Sequence, residues 1–398
     1  MLPREQNELL CRTDRGTPMG EVLRRYWQPV GVSAEIKAGG KPKEVKVMGE
    51  ELVLFRDTNG KPGLLGLHCS HRLTSLAYGR VEDGGIRCPF HGWLYDVSGR
   101  CLEQPAEPEP YCDRIRHPSY PCGELGGLVF AYMGPEDKKP LLPRYEVLVR
   151  EDGTRKVDFY PINSNYLQNV EGAVDTAHFS YLHMEHWSKV KSKLDKLAKP
   201  KIEFREVDFG LWQKSQLPDV NREIIDLVYG HFFMPAGFMR IQGSPRDRTL
   251  IQKFQSWYVP VDDEHTMRYQ VAFSPPDKNG KPFDWPPNTP YQQPGPWNEY
   301  YRKYEETDTI SGIPLSTPGS NVKGFLSQDS MVNETQGLIV DRSREHLGFH
   351  DKVLAAQRVM CLLAIEDVRK GRDPKHVIRD PAKNQIVYVR GEDEFELA

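Results

Sequence analysis

Two short pairs of metal-ligand residues stand near the front of the chain, Cys69-Ser70-His71-Arg72 and Cys88-Pro89-Phe90-His91-Gly92-Trp93, with 16 residues (72–87) between His71 and Cys88. Each pair offers one thiolate and one imidazole. Two thiolates and two imidazoles match the mixed ligation in which His replaces Cys on one iron of a [2Fe–2S] cluster, where the neutral imidazoles raise the reduction potential. The chemistry is electron transfer. A structural zinc site usually groups Cys with Cys in one knuckle and His with His in the next. Here each knuckle is Cys then His, which disfavours zinc.

A second pattern lies in the stretch from Asn165 to His183, where Asp175 is followed by His178 and His183. Non-haem Fe(II) commonly takes two His and one carboxylate on one face, leaving the other positions for dioxygen and substrate. On an ideal α-helix a five-residue step turns the side chain by about 140°. A π-bulge or a helix end is therefore expected between His178 and His183. Two ordinary helical histidines would show the same letters, and the company of the first motif decides for iron.

Together the two motifs resemble the terminal oxygenase (α) subunits of the Rieske non-haem iron aromatic oxygenases, along essentially the whole chain. Glu5-Gln-Asn-Glu-Leu-Leu10, Gly16-Thr-Pro-Met-Gly20 and Asp341-Arg-Ser-Arg-Glu-His-Leu-Gly348 resemble the phthalate dioxygenase branch, which includes dehydrodivanillate-type O-demethylases. The resemblance implies an α+β fold: an N-terminal Rieske [2Fe–2S] β domain and a C-terminal helix-grip catalytic domain, an antiparallel sheet wrapped around a helix. It assigns Cys69, His71, Cys88 and His91 to the cluster and His178 and His183 to a mononuclear Fe(II). The third iron ligand in the family is a downstream carboxylate. Ser327-Gln-Asp-Ser-Met-Val-Asn-Glu-Thr-Gln336 fits that place, with Asp329 as the ligand and Glu334 as its competitor. Asp175 is implied to be an intersubunit electron-transfer bridge, joining His178 to a cluster histidine of a neighbouring subunit, His91, within a homotrimer. A carboxylate in that role also fixes the histidine tautomer. One departure stands out: some relatives carry Asn near the iron where this chain has Glu171 or Gly172, which leaves a catalytic role there in doubt.

The implied activity uses O₂ as cosubstrate and draws electrons from NAD(P)H through a separate reductase, with or without an intervening ferredoxin. The chain itself has no plant-type ferredoxin cysteine run and no Gly-x-Gly-x-x-Gly fingerprint. The branch acts on aromatic carboxylates, including methoxylated acids and biaryls. We favour monooxygenation or O-demethylation, with ring cis-dihydroxylation of phthalate type as the alternative. A non-catalytic Rieske electron carrier is a remote third reading, which Asp175, His178 and His183 oppose. The position of the bound substrate, not the iron ligands, chooses between the oxygenation outcomes.

These residues need elements to hold them. At 398 residues two domains are the natural expectation, and the proline-marked passage from Leu141-Leu-Pro143 puts the division near 150. Residues 1–150 would form a leader helix and the cluster domain; residues 151–398 would form the iron domain. Thr17 and Pro18 signal a helix start, with Glu21 to Trp27 continuing it. Asn59-Gly60 and Ser98-Gly99 mark hairpin turns, and Gly127 to Tyr132 reads as a closing strand. A long helix is expected from His350 to Lys370, with Val353, Ala356, Met360 and Leu363 on its core face and Gly371 at its end. Residues 275–297 are proline-dense and read as an irregular connection.

A net charge of −3 gives no reason to expect nucleic-acid binding. No apolar stretch approaches the roughly 20 residues of a membrane span, and Met1 to Glu5 opens without a signal-peptide hydrophobic region, so the expected compartment is the cytoplasm. The chain has 7 cysteines, and those outside the cluster motif are expected to be reduced. Arg240, Arg268, Phe232, Phe233, Phe238 and Trp257 lie in the iron domain and suit an aromatic acid, although sheet packing or ion pairing is the commoner role for each. His186 reads as pocket wall or surface. Lys189, Lys191, Lys193, Lys196, Lys199 and Lys201 form a solvated face, or a docking stripe for an acidic electron donor.

Overall fold

The computed structural model describes residues 2–182, 200–219, 224–243, 251–285 and 329–388. The chain opens with α1 (Arg4–Cys11) and α2 (Pro18–Leu23). Thr17 caps α2 by accepting a hydrogen bond from the Gly20 N–H, with Pro18 at the first helical position. α2 is shorter than expected. It stops at Leu23, and Trp27 opens a strand, Trp27–Val32, that pairs with Leu128–Tyr132. Pro29 explains the difference, because proline cannot donate to a helix and pushes its predecessor into extended backbone.

Three small antiparallel sheets follow, and they carry the first motif pair. The hairpin expected at Asn59-Gly60 forms between Glu50–Arg56 and Pro62–Gly66, with Gly60 at φ 83°. Strands Gly85–Arg87 and Leu94–Asp96 bracket the second motif, and Leu94–Asp96 pairs onward with Cys101–Glu103 across Ser98-Gly99. Beneath both motif loops lies a small core of its own, in which Val53, Phe55, Leu65, Leu76, Ile86 and Tyr95 are fully buried.

The rest of the described chain builds one seven-stranded antiparallel sheet: β1 (Thr154–Ile162), β2 (Lys201–Val207), β3 (Gly210–Asp219), β4 (Ile224–Phe233), β5 (Gly237–Gly243), β6 (Ile251–Pro260) and β7 (Thr266–Ser274). Its order is β1-β7-β6-β5-β4-β3-β2. Side chains alternate across it. One face presents Phe238, Arg240, Phe254, Ser256 and Arg268, and the other packs Phe233 and Trp257 against Tyr145. α3 (Tyr166–Val174) lies against β4, β5 and β6, and α4 (Lys352–Arg369) packs on α1, α2, α3 and β3. This is the expected helix held by an antiparallel sheet. One large core joins it to α1, α2 and the Trp27 strand.

α4 matches the expected long helix, and Gly371 follows it at φ 73°. Its core face differs at two of the four expected positions, Ala356 being only partly buried and Leu363 exposed. Val353, Gln357, Met360, Cys361, Ala364 and Ile365 are buried, whereas Leu363 is 60% exposed. The buried stripe follows the ~3.6-residue period more closely than the 353-356-360-363 series did. Residues 275–285 contain no strand, as expected, and residues 286–297 lie outside the described part. No described helix is long and apolar enough to cross a membrane.

Candidate functional site

The first motif loop is a tight turn. The Cys69 N–H bonds to the Thr74 carbonyl at 2.9 Å, the Leu73 N–H returns to the Cys69 carbonyl at 2.9 Å, and Leu73 takes φ 60° to make this possible. The second loop repeats the design. The Cys88 N–H bonds to the Trp93 carbonyl at 2.8 Å, and Gly92, at φ 76°, sits where a Cβ would meet Pro105 at 2.7 Å. Both thiols are buried and face each other, with burial raising the Cys88 thiol pKa and the Phe90 and His91 N–H groups drawing it back. The imidazoles form the other pair, with His71 and His91 ring centroids 4.6 Å apart. Among the described residues, His91 Nδ1 is buried without a hydrogen-bond partner. That orphaned nitrogen, the sulfur pair and the nitrogen pair fit a [2Fe–2S] group of mixed ligation.

Two neighbours hold this arrangement, and sequence reasoning had missed both. Tyr95 Oη lies 3.2 Å from Cys69 Sγ. His117 is buried and its pKa is lowered by desolvation, so its imidazole is neutral. One ring nitrogen must then donate and the other accept. Nε2 lies 2.8 Å from the Gly66 carbonyl, which only accepts, so Nδ1 accepts from the Ser70 hydroxyl at 2.8 Å. A lone His outside any motif gives no sequence signal for this. Around the loop tips Leu73, Tyr78 and Phe90 are 72%, 80% and 54% exposed.

The second site starts at the end of α3. Asn165 caps its N-terminus, and the Gln213 side chain donates to the Val174 carbonyl at 3.0 Å, closing the other end. The helix ends there, ahead of His178 and not between His178 and His183 where a break was expected, and Asp175 and His178 sit in the gap before a short helical turn, Phe179–Leu182. His178 lies between two carboxylates, with Nδ1 3.6 Å from Asp175 and Nε2 3.5 Å from Asp329. Burial opposes a charged imidazole there, but the two carboxylates outweigh it and raise the His178 pKa to about 9. His183 and His186 lie outside the described residues, as does the lysine run except for Lys201, which opens β2.

Asp329 and its competitor are separated clearly. Asp329 borders the cavity at His178, while Glu334 turns away and accepts the Asn163 N–H at 2.9 Å. Glu171 also faces away. It is buried between Arg342 and Arg358, at 2.7 and 2.6 Å, so its carboxylate is taken up by these ion pairs and does not line the cavity. Gly172 does border the cavity.

The cavity has a volume of about 150 Å³ among the described residues, a size that holds one aromatic ring. Arg240 and Arg268 enter it from the sheet, together with Phe238. Arg240 lies over the Phe179 and Phe254 rings at 5.8 and 5.2 Å, and burial lowers its pKa to about 10, which leaves it charged near neutrality. Arg268 donates to Tyr160 Oη and, at 3.0 Å, to Ser256 Oγ, while its Nε is buried without a partner. The packing role expected for these two arginines therefore gives way to a cavity role; Phe233 and Trp257 keep it. Asn169, Asn333, Tyr160 and Gln270 also line the cavity and had escaped notice.

Residues 26–121 match the family of the Rieske [2Fe-2S] domain, and residues 131–386 match the family described as LigXa C-terminal domain like. The chain is 33% identical over 397 residues to the 5,5'-dehydrodivanillate O-demethylase oxygenase subunit of Sphingobium sp. (strain NBRC 103272 / SYK-6), covering 97% of this chain and 86% of that one. It is 31% identical over 404 residues to the phthalate 4,5-dioxygenase oxygenase subunit of Pseudomonas putida, covering 93% and 88%. Among solved structures, the carbazole-bound oxygenase of carbazole 1,9a-dioxygenase in complex with ferredoxin superposes with a TM-score of 0.62 at 20% identity, over 96% and 97% of the two chains, and so shares the fold. The cluster loops, the sheet-held helix and relatives of this kind over nearly the full length place the chain among the oxygenase subunits of the multicomponent Rieske non-haem iron oxygenases, in the branch that contains phthalate dioxygenase.

Proposed function

We propose that this chain catalyses O₂-dependent monooxygenation or O-demethylation of an aromatic carboxylate. The observation that carries this reading is the pair of buried arginines, Arg240 and Arg268, in a ring-sized cavity bordered by His178 and Asp329. A guanidinium donates in a planar fork that matches a carboxylate, and Phe238 and Phe254 offer apolar walls for the ring. The O-demethylase relative supports the choice of reaction.

In this reading Cys69 and Cys88 hold one iron of the cluster and His71 and His91 the other, while His178, His183 and Asp329 hold the mononuclear iron. Bound there, the two groups would supply electrons and the activation of dioxygen. Asp175 fixes the orientation of His178 through the 3.6 Å contact to Nδ1, leaving Nε2 directed at Asp329 and the cavity. The arginines hold the acid end of the substrate, so the carbon presented at His178 and Asp329 is set by the distance between carboxylate and methoxy group.

The domain division falls near residue 150 and the assembly is a homotrimer in which Asp175 of one copy meets His91 of the next. Leu73, Tyr78 and Phe90, exposed around the cluster loops, suit such a contact. Electrons arrive from a separate reductase, directly or through a ferredoxin, a route that the ferredoxin complex of the carbazole enzyme supports. The cytoplasm is the fitting compartment, in keeping with cysteines that form no disulfide.

The test is reconstitution of the iron-loaded protein with a reductase, NADH and ¹⁸O₂ on methoxylated and unmethoxylated aromatic acids and biaryls. Formaldehyde formed in step with a phenol establishes O-demethylation. A product carrying two labelled oxygens establishes ring dihydroxylation instead, and a functional monomer in sedimentation overturns the intersubunit path.

A further inference from the structure

We infer that Asn333 is a specificity-determining residue whose side-chain Oδ1 is a fixed hydrogen-bond acceptor in the cavity, selecting aromatic substrates that carry a hydroxyl donor on the ring. This rests on the reading of the cavity as the substrate site. Hydrogen-bond polarity fixes which end of each amide faces which partner. Asn169 Nδ2 lies 3.0 Å from the Asn165 carbonyl, 3.1 Å from Ser164 Oγ and 3.2 Å from Thr266 Oγ1. A carbonyl only accepts, and Thr266 directs its own hydroxyl hydrogen to the Ser164 carbonyl at 2.7 Å. The end of the Asn169 amide that faces them must therefore be the NH₂ group.

The consequence passes to the next amide. Asn169 Oδ1 is an acceptor, so Asn333, 3.3 Å away, must present Nδ2 to it. A flip of Asn169 would set two NH₂ groups against each other, and a flip of Asn333 would set two carbonyl oxygens face to face. Asn333 Oδ1 is left over, and among the described residues no protein donor meets it. Asn333 is 6% exposed and lines the cavity, so this acceptor looks into the space a substrate would fill.

The chain also makes room for it. A Cβ on Gly172 would stand 2.9 Å from both Nδ2 and Oδ1 of Asn333, so only glycine lets the amide rest on α3 at this depth. Gly172 lies one turn before Asp175, and Asn333 lies one turn beyond Asp329 in the helical turn at 329–334. The amide thus sits between the two segments that bring their carboxylates to His178. An acceptor that opens onto the cavity and meets no protein donor takes a hydrogen bond from a substrate hydroxyl, where an ether oxygen in the same place would set two acceptors face to face.

The test measures dissociation constants on the full-length, iron-loaded protein for 2-, 3- and 4-hydroxybenzoate against the matching methoxybenzoates, with phenol and anisole as the uncharged pair. One hydroxybenzoate is expected to bind about tenfold or more tightly than its methyl ether. That ratio falls to near one in Asn333→Leu, and also in Gly172→Ala, where the added methyl displaces the amide and provides a second variant should the first not fold. Equal binding of every hydroxy and methoxy pair by the unmodified protein, or a preference that survives in Asn333→Leu, overturns the inference. The carboxylate is read separately. Phenol binding as tightly as the hydroxybenzoates would remove the arginine-based reading and leave the hydroxyl contrast to stand or fall alone.

Discussion

Asp329 Oδ1 lies 3.5 Å from His178 Nε2, although the two residues come from opposite ends of the catalytic region. Neither element makes a site alone. The break after α3 supplies the imidazole, and the helical turn at 329–334 closes on it with the carboxylate. Asp329→Ala should lower iron affinity by more than about 100-fold, since changes one layer further out already cost about 10–100-fold. Glu334→Gln should keep iron and turnover, because Glu334 is turned towards the Asn163 N–H. Iron content by atomic absorption, with the cluster's visible spectrum as an internal reference, checks the pair. Iron lost in Glu334→Gln and kept in Asp329→Ala would exchange their roles.

Glu171 concerns stability. Its carboxylate is buried between Arg342 and Arg358, and Arg342 also donates to Asn7 Oδ1 at 2.9 Å, so the cluster ties α1, α3 and α4 together. Two positive charges hold the Glu171 carboxyl below its usual pKa against the opposing effect of burial. Glu171→Gln leaves the Arg342 guanidinium buried with no carboxylate partner among the described residues, while Arg358 keeps Glu345 at 2.7 Å; breaking such a buried pair costs about 3–5 kcal/mol. The midpoint of urea unfolding should fall accordingly. The Rieske absorption of the folded protein should not change, because the cluster loops stand on their own small core.

Much of this site was legible in the sequence, and the boundary has a physical origin. The cluster loops were readable because each is closed by hydrogen bonds within a few residues, Cys69 to Thr74 and Cys88 to Trp93. The helical period called for a break after His178, whereas the helix ends earlier, at Val174, where the Gln213 side chain from β3 closes it. The Glu171–Arg342 pair and the Asn169–Asn333 amide pair join positions more than a hundred residues apart, and no local pattern announces them. Arg240 and Arg268 were visible as candidates, but which face of the sheet they occupy depends on strand register, which the sequence leaves open. Trp27 shows a different limit. The capping signal at Thr17 located the start of α2 correctly, while Pro29 ended it earlier than the helix-compatible letters suggested.

Tyr95 should tune the cluster. Its hydroxyl lies 3.2 Å from Cys69 Sγ, and burial raises its pKa, so it stays protonated and donates to the sulfur. Reduction adds negative charge, which a donated hydrogen bond stabilises, so removing it lowers the potential. A difference of about 1 kcal/mol corresponds to about 40 mV for one electron. Tyr95→Phe is therefore expected to shift the Rieske midpoint down by tens of millivolts in a redox titration, with the spectrum otherwise retained. A shift upward would mean that the hydroxyl points elsewhere.

His231 sets an acid limit on stability. It is fully buried on β4, with no hydrogen-bond partner for either ring nitrogen among the described residues, and burial lowers its pKa to about 3, with Lys253 and Arg205 adding repulsion. Its unfolded counterpart titrates near 6.5. Below about pH 6.5 the unfolded chain gains a proton that the folded chain refuses, so stability falls as pH drops from there towards 3, by about 1.4 kcal/mol per unit for one such group. His376, lowered to about 4 by burial, adds to the slope. Unfolding midpoints in urea at pH 7, 6 and 5 should therefore decline in the unmodified protein and decline less steeply in His231→Phe, which removes one of the buried histidines that resist protonation. Parallel slopes for the two proteins would show that His231 takes up its proton in the folded state, through a partner that admits charge into the sheet.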